Sequence, residues 1–156
     1  MSTAQHVLVP VDFLADDSDA AVELAATLIK ANGGNLVLLH VLAPMGSMSG
    51  IVPGARDDED LEHSREQALA ALGRLAQSLR ALGVEQVSSI VEVGYPIERI
   101  LEHARRNAVD VIVLGTHGRT GIPRLWMGSV AELVLRQAPC RVVVVRAGPA
   151  TACPKI

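Results

Sequence analysis

Hydrophobic residues along this chain fall into short continuous runs, separated by longer stretches that have helical spacing. The five apolar runs cover residues 6–11, 35–41, 87–93, 111–114 and 141–145. Continuous runs of this length are typical of strands that are covered on both faces, as in a parallel sheet. The run at 87–93 is interrupted by two serines and a glutamate, which predicts an edge strand.

The stretches between the runs carry apolar residues three, four or seven apart, the spacing of an amphipathic helix. Helices are predicted from a cap at Ser18 to the Gly33-Gly34 pair, over about 58–82, from Pro96, and from Ser129 to a point before Pro139. The predicted apolar face of the second helix comprises Leu61, Ala68, Leu72, Leu75, Leu79 and Leu82. Strict alternation of strands and helices requires parallel strands with right-handed crossovers. The predicted fold class is a single α/β domain with a doubly wound, Rossmann-like sheet.

The 156 residues fit one domain, with a core over about 5–146. Residues 43–56 are rich in Gly, Ser, Pro and Met, and they are predicted to form a mobile loop. Residues 147–156 are predicted to form a flexible tail.

Composition excludes several classes of function. A net charge of −3 and only 2% aromatic residues argue against binding nucleic acid, which needs basic surface or stacking platforms. No apolar segment is long enough to span a bilayer, and no basic n-region precedes an apolar run. Cys140 and Cys153 form neither a CxxC motif nor a disulfide framework. We therefore expect a cytoplasmic protein with no membrane partner.

One glycine motif follows the fourth apolar run. Gly115, Gly118 and the pair Gly128-Ser129 have the spacing G-x2-G-x9-G-[ST], and the second half opens a predicted helix. In open α/β sheets, ligands bind beyond the carboxyl ends of the strands at the topological switch point. Glycines let the backbone approach a polyphosphate, and a helix N-terminus attracts anions. With Arg119 or Arg124 supplying positive charge, the motif predicts a cradle for phosphates.

Each of these residues also has a purely structural interpretation. Ser129 and Glu132 match a capping box, which a helix favours with no ligand present. The glycines could serve as turn residues in a long loop, and Asp12 could cap the turn after the first strand. His40 lies within an apolar run and is predicted to be a hydrogen-bonded core histidine. His6, His63 and His103 are predicted to lie on the surface, and no histidine spacing suggests a metal site. Cys140 is predicted to be buried and inert, and Cys153 to be an exposed free thiol.

The chain resembles the ATP-binding branch of the universal stress protein family over about 5–146. The resemblance is carried by residues 9–13, 38–41, 114–119 with 128–130, and 140–145. It implies a sheet of order 3-2-1-4-5, with the switch point between the first and fourth strands. It also implies that Asp12 and the Val41 backbone lie by the adenine and ribose. The phosphates would be lined by Gly115, His117, Gly118, Gly128, Ser129 and Val130. Leu14 departs from the family, in which many relatives have serine.

These observations together predict an adenine-nucleotide-binding sensor or switch of the stress-response type. The expected ligand is ATP, or AMP or ADP in its place, accompanied by Mg²⁺. The candidate binding residues are Pro10, Val11, Asp12, Val41, Leu114, Gly115, Thr116, His117, Gly118, Arg119, Gly121, Gly128, Ser129 and Val130. One alternative is a slow ATPase or phosphotransferase at the same site, for which only Asp12 and His117 are candidate bases. Another is a nucleotide-free dimeric interaction scaffold.

The fifth strand predicts a homodimer. Residues 141–146 contain four consecutive valines with no interrupting proline or charge. The resemblance puts this strand at an edge of the sheet, where such a sequence promotes aggregation unless it is paired. Antiparallel pairing with the same strand of a second copy is expected under two-fold symmetry. The alternative is a monomer in which the tail from Ala147 covers the edge.

Overall fold

A computed structural model describes residues 5–13, 17–43, 58–116 and 128–146, in which strands and helices alternate. The predicted tail and all but the first residue of the predicted loop at 43–56 lie outside these ranges. The elements are β1 (Gln5–Pro10), α1 (Asp17–Asn32), β2 (Gly34–Leu42), α2 (Asp58–Ala81), β3 (Val87–Val93), α3 (Pro96–Arg106), β4 (Val111–Gly115), α4 (Ser129–Gln137) and β5 (Arg141–Val145).

All neighbouring strands are parallel, and their order is β3-β2-β1-β4-β5. The central strand β1 pairs with β2 on one side and with β4 on the other. The predicted fold class and strand order are therefore confirmed. Residues 87–93 form an edge strand, as the serines in that run indicated, and β5 forms the opposite edge.

Helices cover both faces of the sheet and create two separate cores. Val7 and Val9 of β1 pack in one core with α1 and α2. Leu8, between them, packs in the other core with α3 and α4. Because alternate residues of a strand point to opposite faces, a strand buried on both sides needs apolar residues at nearly every position. This is the physical reason for the continuous apolar runs in the sequence.

The turn from α1 into β2 depends on two glycines. Gly33 and Gly34 have φ values of +74° and +122°, which side-chain-bearing residues rarely adopt. A Cβ at Gly34 would also collide with the backbone of Gln5 at the start of β1. The glycine pair therefore ends the helix, as predicted, and it also lets β2 begin in close contact with β1.

Three local predictions were wrong. Helix α1 begins at Asp17, so Ser18 lies in its first turn instead of capping it. Helix α2 ends at Ala81, which leaves Leu82 outside the helix with 65% of its surface exposed. His103, expected on the surface, is only 7% exposed because α3 turns it toward the sheet. Within the described ranges, no helix combines the length and apolarity needed to cross a membrane.

Candidate functional site

The topological switch point lies between β1 and β4, whose carboxyl ends are adjacent at the centre of the sheet. From β1 the chain passes through α1 to β2 on one side, and from β4 it passes through α4 to β5 on the other. Helices α1 and α4 pack on opposite faces. The connections therefore diverge here, and in open α/β sheets such a divergence forms a ligand crevice beyond the strand ends, in this chain beside Asp12 and Gly115.

A hydrogen bond brings the two halves of the glycine motif together. The Gly128 N–H donates to the carbonyl oxygen of Thr116, and the Thr116 N–H donates to the Val145 carbonyl at 2.9 Å. Thr116 is buried directly after β4. The start of α4 is consequently held at the carboxyl end of β4, where a phosphate cradle requires it.

The first turn of α4 carries no side-chain cap. Gly128 is the N-cap residue, with extended backbone angles and no capping side chain, and Ser129 is the first helical residue. The Glu132 carboxylate pairs with Arg136 at 2.9 Å instead of returning to the cap. The capping-box interpretation of Ser129 and Glu132 was therefore wrong. Since the first N–H groups of a helix have no intrahelical acceptor, this terminus presents donors and positive dipole to an anion.

Two buried side chains fix the segment after β1. The Ser18 hydroxyl accepts a hydrogen bond from the Asp12 N–H and donates one to the Asp12 carbonyl, both at 3.0 Å. His40 Nδ1 lies 2.7 Å from the Val11 carbonyl oxygen. A carbonyl only accepts, so Nδ1 carries the proton and donates it. The prediction that His40 is a hydrogen-bonded core histidine is confirmed, whereas the role of Ser18 was missed.

Phe13 is a second residue that was not predicted to belong to the site. Its ring centroid lies 4.9 Å from that of His40, with the planes tilted by 44°. The ring is 44% exposed directly after Asp12, so it offers an apolar surface at the crevice. It is the chain's single phenylalanine, and its place at the end of an apolar run was the available signal.

The remaining candidate residues divide into three groups. Pro10, Val11 and Leu114 lie at, or directly after, the carboxyl ends of the two central strands. Val41 lies near the end of β2, which is separated from β4 by β1. Ser129 and Val130 are in the first turn of α4. The described candidate residues therefore lie together at the carboxyl ends of the strands. The others, His117, Gly118, Arg119 and Gly121, lie outside the described ranges.

Chemistry elsewhere in the described part of the chain is limited. No three His, Cys, Asp or Glu side chains among those residues are arranged to hold a metal ion. Cys140 is half-buried, not fully buried as predicted. Burial, and secondarily the negative charge of Asp110, raises the pKa of its thiol, while a backbone hydrogen bond from Ile112 acts in the opposite direction. The raised pKa keeps the group a thiol at neutral pH, consistent with an inert cysteine.

Comparisons with known proteins find relatives of this chain over nearly its whole length. A family model described as the universal stress protein family matches residues 3–146. The universal stress protein YxiE of Bacillus subtilis is 32% identical over 146 residues, covering 90% of this chain and 97% of the relative. The solved structure of UspA from Lactobacillus plantarum is 26% identical with a TM-score of 0.78, covering 92% of this chain and 100% of that one.

A second solved structure is a universal stress protein from Archaeoglobus fulgidus in complex with dAMP. It has a TM-score of 0.64 and 22% identity, and it covers 93% of this chain and 99% of that one. At this identity the likeness concerns the fold. The family match over nearly the whole length and the 32% identity to YxiE show that the chain belongs to the universal stress protein family.

Proposed function

We propose that this protein binds ATP in the crevice between β1 and β4 and acts as a nucleotide-dependent sensor or switch in a stress response. The observation that carries the proposal is the hydrogen bond from Gly128 to Thr116. It holds an uncapped helix N-terminus at the carboxyl end of β4, next to the segment that contains Asp12. A phosphate chain placed there would accept hydrogen bonds from the first turn of α4.

The adenosine would lie toward β1 and β2. Asp12 supplies a carboxylate for ribose hydroxyls, and the exposed ring of Phe13 supplies an apolar surface for a base. Because Ser18 and His40 already hold this segment in place, little conformational entropy is lost when a ligand binds. The dAMP complex of the Archaeoglobus fulgidus protein supports an adenine ligand in this fold. The glycine motif, with its second half at a helix N-terminus, favours a polyphosphate over a monophosphate.

We infer that Mg²⁺ accompanies the nucleotide and is held mainly by the phosphates. The described carboxylates do not form a cluster that would bind the ion by itself. Phosphate oxygens with one or two protein ligands are a usual environment for Mg²⁺. We place this activity in the cytoplasm, on the basis of the cysteine usage.

Binding of nucleotide should stabilise the folded protein. At a hundredfold excess over its dissociation constant, ATP with Mg²⁺ contributes about 2.7 kcal/mol, which raises Tm by roughly 5–10 °C in a chain of this size. GTP should have a much smaller effect. The measurement is a thermal shift on protein that has been refolded and shown by mass spectrometry to be free of nucleotide. The Asp12→Asn variant should lose most of the shift, while Asp19→Asn, an exposed acid on α1, should retain it. No shift with any adenine nucleotide would refute the proposal.

Turnover separates a switch from an enzyme at the same site. No described side chain is arranged with another as an evident base–nucleophile pair, so hydrolysis should fall far below the enzymatic median of about 10 s⁻¹. Phosphate release would be followed with ATP in excess. Rapid hydrolysis that is abolished by Asp12→Asn or His117→Ala would assign the protein to the ATPases.

A further inference from the structure

Within the described part of the chain, strand β3 leaves some of its backbone groups unpaired at the edge opposite to β5. The Leu36 N–H donates to the Gln86 carbonyl at 2.9 Å, and the Gly94 N–H donates to the Leu42 carbonyl at 3.0 Å. In a parallel ladder, every second residue of an edge strand directs its N–H and C=O groups toward the neighbouring strand. The two hydrogen bonds therefore identify which residues of β3 face β2. The N–H and C=O groups of Ser89, Val91 and Val93 are therefore directed away from β2. Among the described residues, no strand pairs with them.

The amino end of this edge is already occupied. The Arg80 guanidinium of α2 donates a hydrogen bond of 2.6 Å to the Val87 carbonyl, which also faces outward. The carboxyl half, in contrast, borders a cleft of about 470 Å³. This volume is within the range of protein ligand sites. The accessible part of the edge thus begins near Ser89 and ends beside the cleft.

Three arginines surround the cleft. Arg65 comes from α2 on one face of the sheet, and Arg99 and Arg106 come from α3 on the other. Glu102 bridges the two α3 arginines, at 2.9 Å from Arg99 and 2.5 Å from Arg106. Each guanidinium has five N–H donors, so this carboxylate uses only a small part of their capacity. Arg99 even retains a buried Nε with no hydrogen-bond acceptor.

The charge of the cleft differs in sign from that of the chain. Glu92, its second carboxylate, faces the buried His103 at 3.4 Å. Arg65 is exposed and forms no ion pair among the described residues. Three arginines against two carboxylates leave the lining positive, although the whole chain carries −3. Such a local excess favours an anionic partner.

We propose that the edge of β3 is a docking site for an extended acidic segment of a partner protein, which adds to the sheet as a sixth strand. Its backbone would pair with Ser89, Val91 and Val93, and its carboxylates would contact Arg65 on one face and Arg106 on the other. Val93 and Tyr95, which are 39% and 53% exposed, provide apolar contacts at the end of the edge. This site does not depend on the proposed nucleotide binding.

A second copy of this chain fits the same edge less well. Two-fold pairing of β3 with itself would be antiparallel, so Arg80 at the amino end of one copy would approach the arginines beside the carboxyl end of the other, where like charges repel. An acidic segment satisfies the unpaired backbone and the excess charge together. The charge distribution therefore favours a heterologous acidic strand.

The test uses the full chain and a fluorescein-labelled peptide of seven residues in which pairs of glutamates alternate with single valines, so that carboxylates point to both faces of the added strand. Fluorescence anisotropy should show saturable binding that weakens as salt is added. The double variant Arg65→Gln/Arg106→Gln should bind about tenfold more weakly. The matched control is Arg74→Gln/Arg105→Gln, which removes the same charge from exposed positions on the same two helices outside the cleft. The control should bind like the parent.

A fully N-methylated version of the peptide separates strand addition from charge attraction. It retains every carboxylate but has no backbone donors, so its binding should be lost. The proposal is overturned if both peptides bind equally, if both double variants weaken binding equally, or if the parent peptide does not bind at millimolar concentration. It is also overturned if Ser89→Pro changes the oligomeric state of the protein, because the edge would then serve a second copy.

Discussion

At the scale of single residues, the backbone after β1 is held by Ser18 and His40, two polar side chains that are both less than a tenth exposed. The Ser18 hydroxyl forms hydrogen bonds with the N–H and the carbonyl of Asp12, and His40 donates one to the carbonyl of Val11. A segment without ladder bonds on both sides would otherwise be loose. These contacts hold the backbone of Val11 and Asp12 in a defined position after β1.

Replacing Ser18 tests that role. Ser18→Ala removes both hydrogen bonds to the Asp12 backbone, which should lower the free energy of unfolding by about 1–3 kcal/mol. It should also weaken ATP binding, because Asp12 is no longer fixed. Urea unfolding and nucleotide titration measure the two effects.

The control for this variant is Ser78→Ala on α2. The Ser78 hydroxyl donates its hydrogen bond to the carbonyl of Arg74, four residues earlier on an exposed face of the helix. Its loss should change the free energy of unfolding by less than about 0.5 kcal/mol and leave nucleotide binding intact. Equal effects of the two substitutions would show that the Ser18 contacts do not support the site.

At the scale of elements, the register of β1 against β2 depends on close backbone approach where β2 begins. Gly34 has φ of +122° and lies opposite Gln5, the first residue of β1. Gly73, by contrast, lies within α2, and a Cβ there would meet nothing within 4 Å. The same substitution at these two glycines should therefore have opposite effects.

Gly34→Ala should lower the free energy of unfolding by at least about 3 kcal/mol, since it combines backbone strain with a steric clash. Gly73→Ala should raise it by up to about 1 kcal/mol, because alanine favours the helix. Chemical denaturation of both variants compares them directly. A tolerated alanine at Gly34 would contradict the described start of β2.

At the scale of the whole molecule, the two edges of the sheet differ in chemistry. The β3 edge borders an arginine-lined cleft, whereas β5 consists of one arginine and four half-buried valines. An apolar edge strand is a hazard in solution unless it is covered. We therefore propose that two copies of the chain pair through β5, which leaves both β3 edges free for other partners.

Two proline variants test the β5 interface. The hydrogen bond from Thr116 to Val145 shows that Val145 faces β4, and every second residue of β5 does the same. The N–H of Val143 is therefore directed toward β4, and that of Val144 is directed outward. Val144→Pro should shift the species from dimer to monomer with the fold retained. Val143→Pro removes a ladder bond inside the sheet and should lower Tm whatever the oligomeric state.

Light scattering gives the mass of each species. The parent should have about twice the 16.5 kDa of one chain at micromolar concentration, and Val144→Pro should approach the monomer mass. A monomeric parent protein would rule out this interface. A parent dimer that Val144→Pro does not weaken would place the contact elsewhere.

The sequence by itself determined the elements and the fold class, and it predicted where the candidate site would lie. Strands buried on both faces require continuous apolar runs, so the five strands were found within about a residue of their bounds. The glycine spacing after β4 marked the candidate crevice, and the resemblance supplied the strand order. Local spacing is enough to predict strands, helices and the glycine motif, because each of them depends on residues that are neighbours in the chain.

Tertiary structure alone decided which side chains meet across elements. Three contacts depend on how the helices lie against the sheet. They are the pairing of buried His103 with Glu92 and the hydrogen bonds that join Ser18 to Asp12 and Gly128 to Thr116. Ser129 lost its predicted capping role because the Thr116 contact places Gly128, not Ser129, at the cap position. The arginines of the cleft come from two helices on opposite faces, and their sequence separation gives no sign of their meeting. Packing geometry, which no local pattern encodes, brings these groups together.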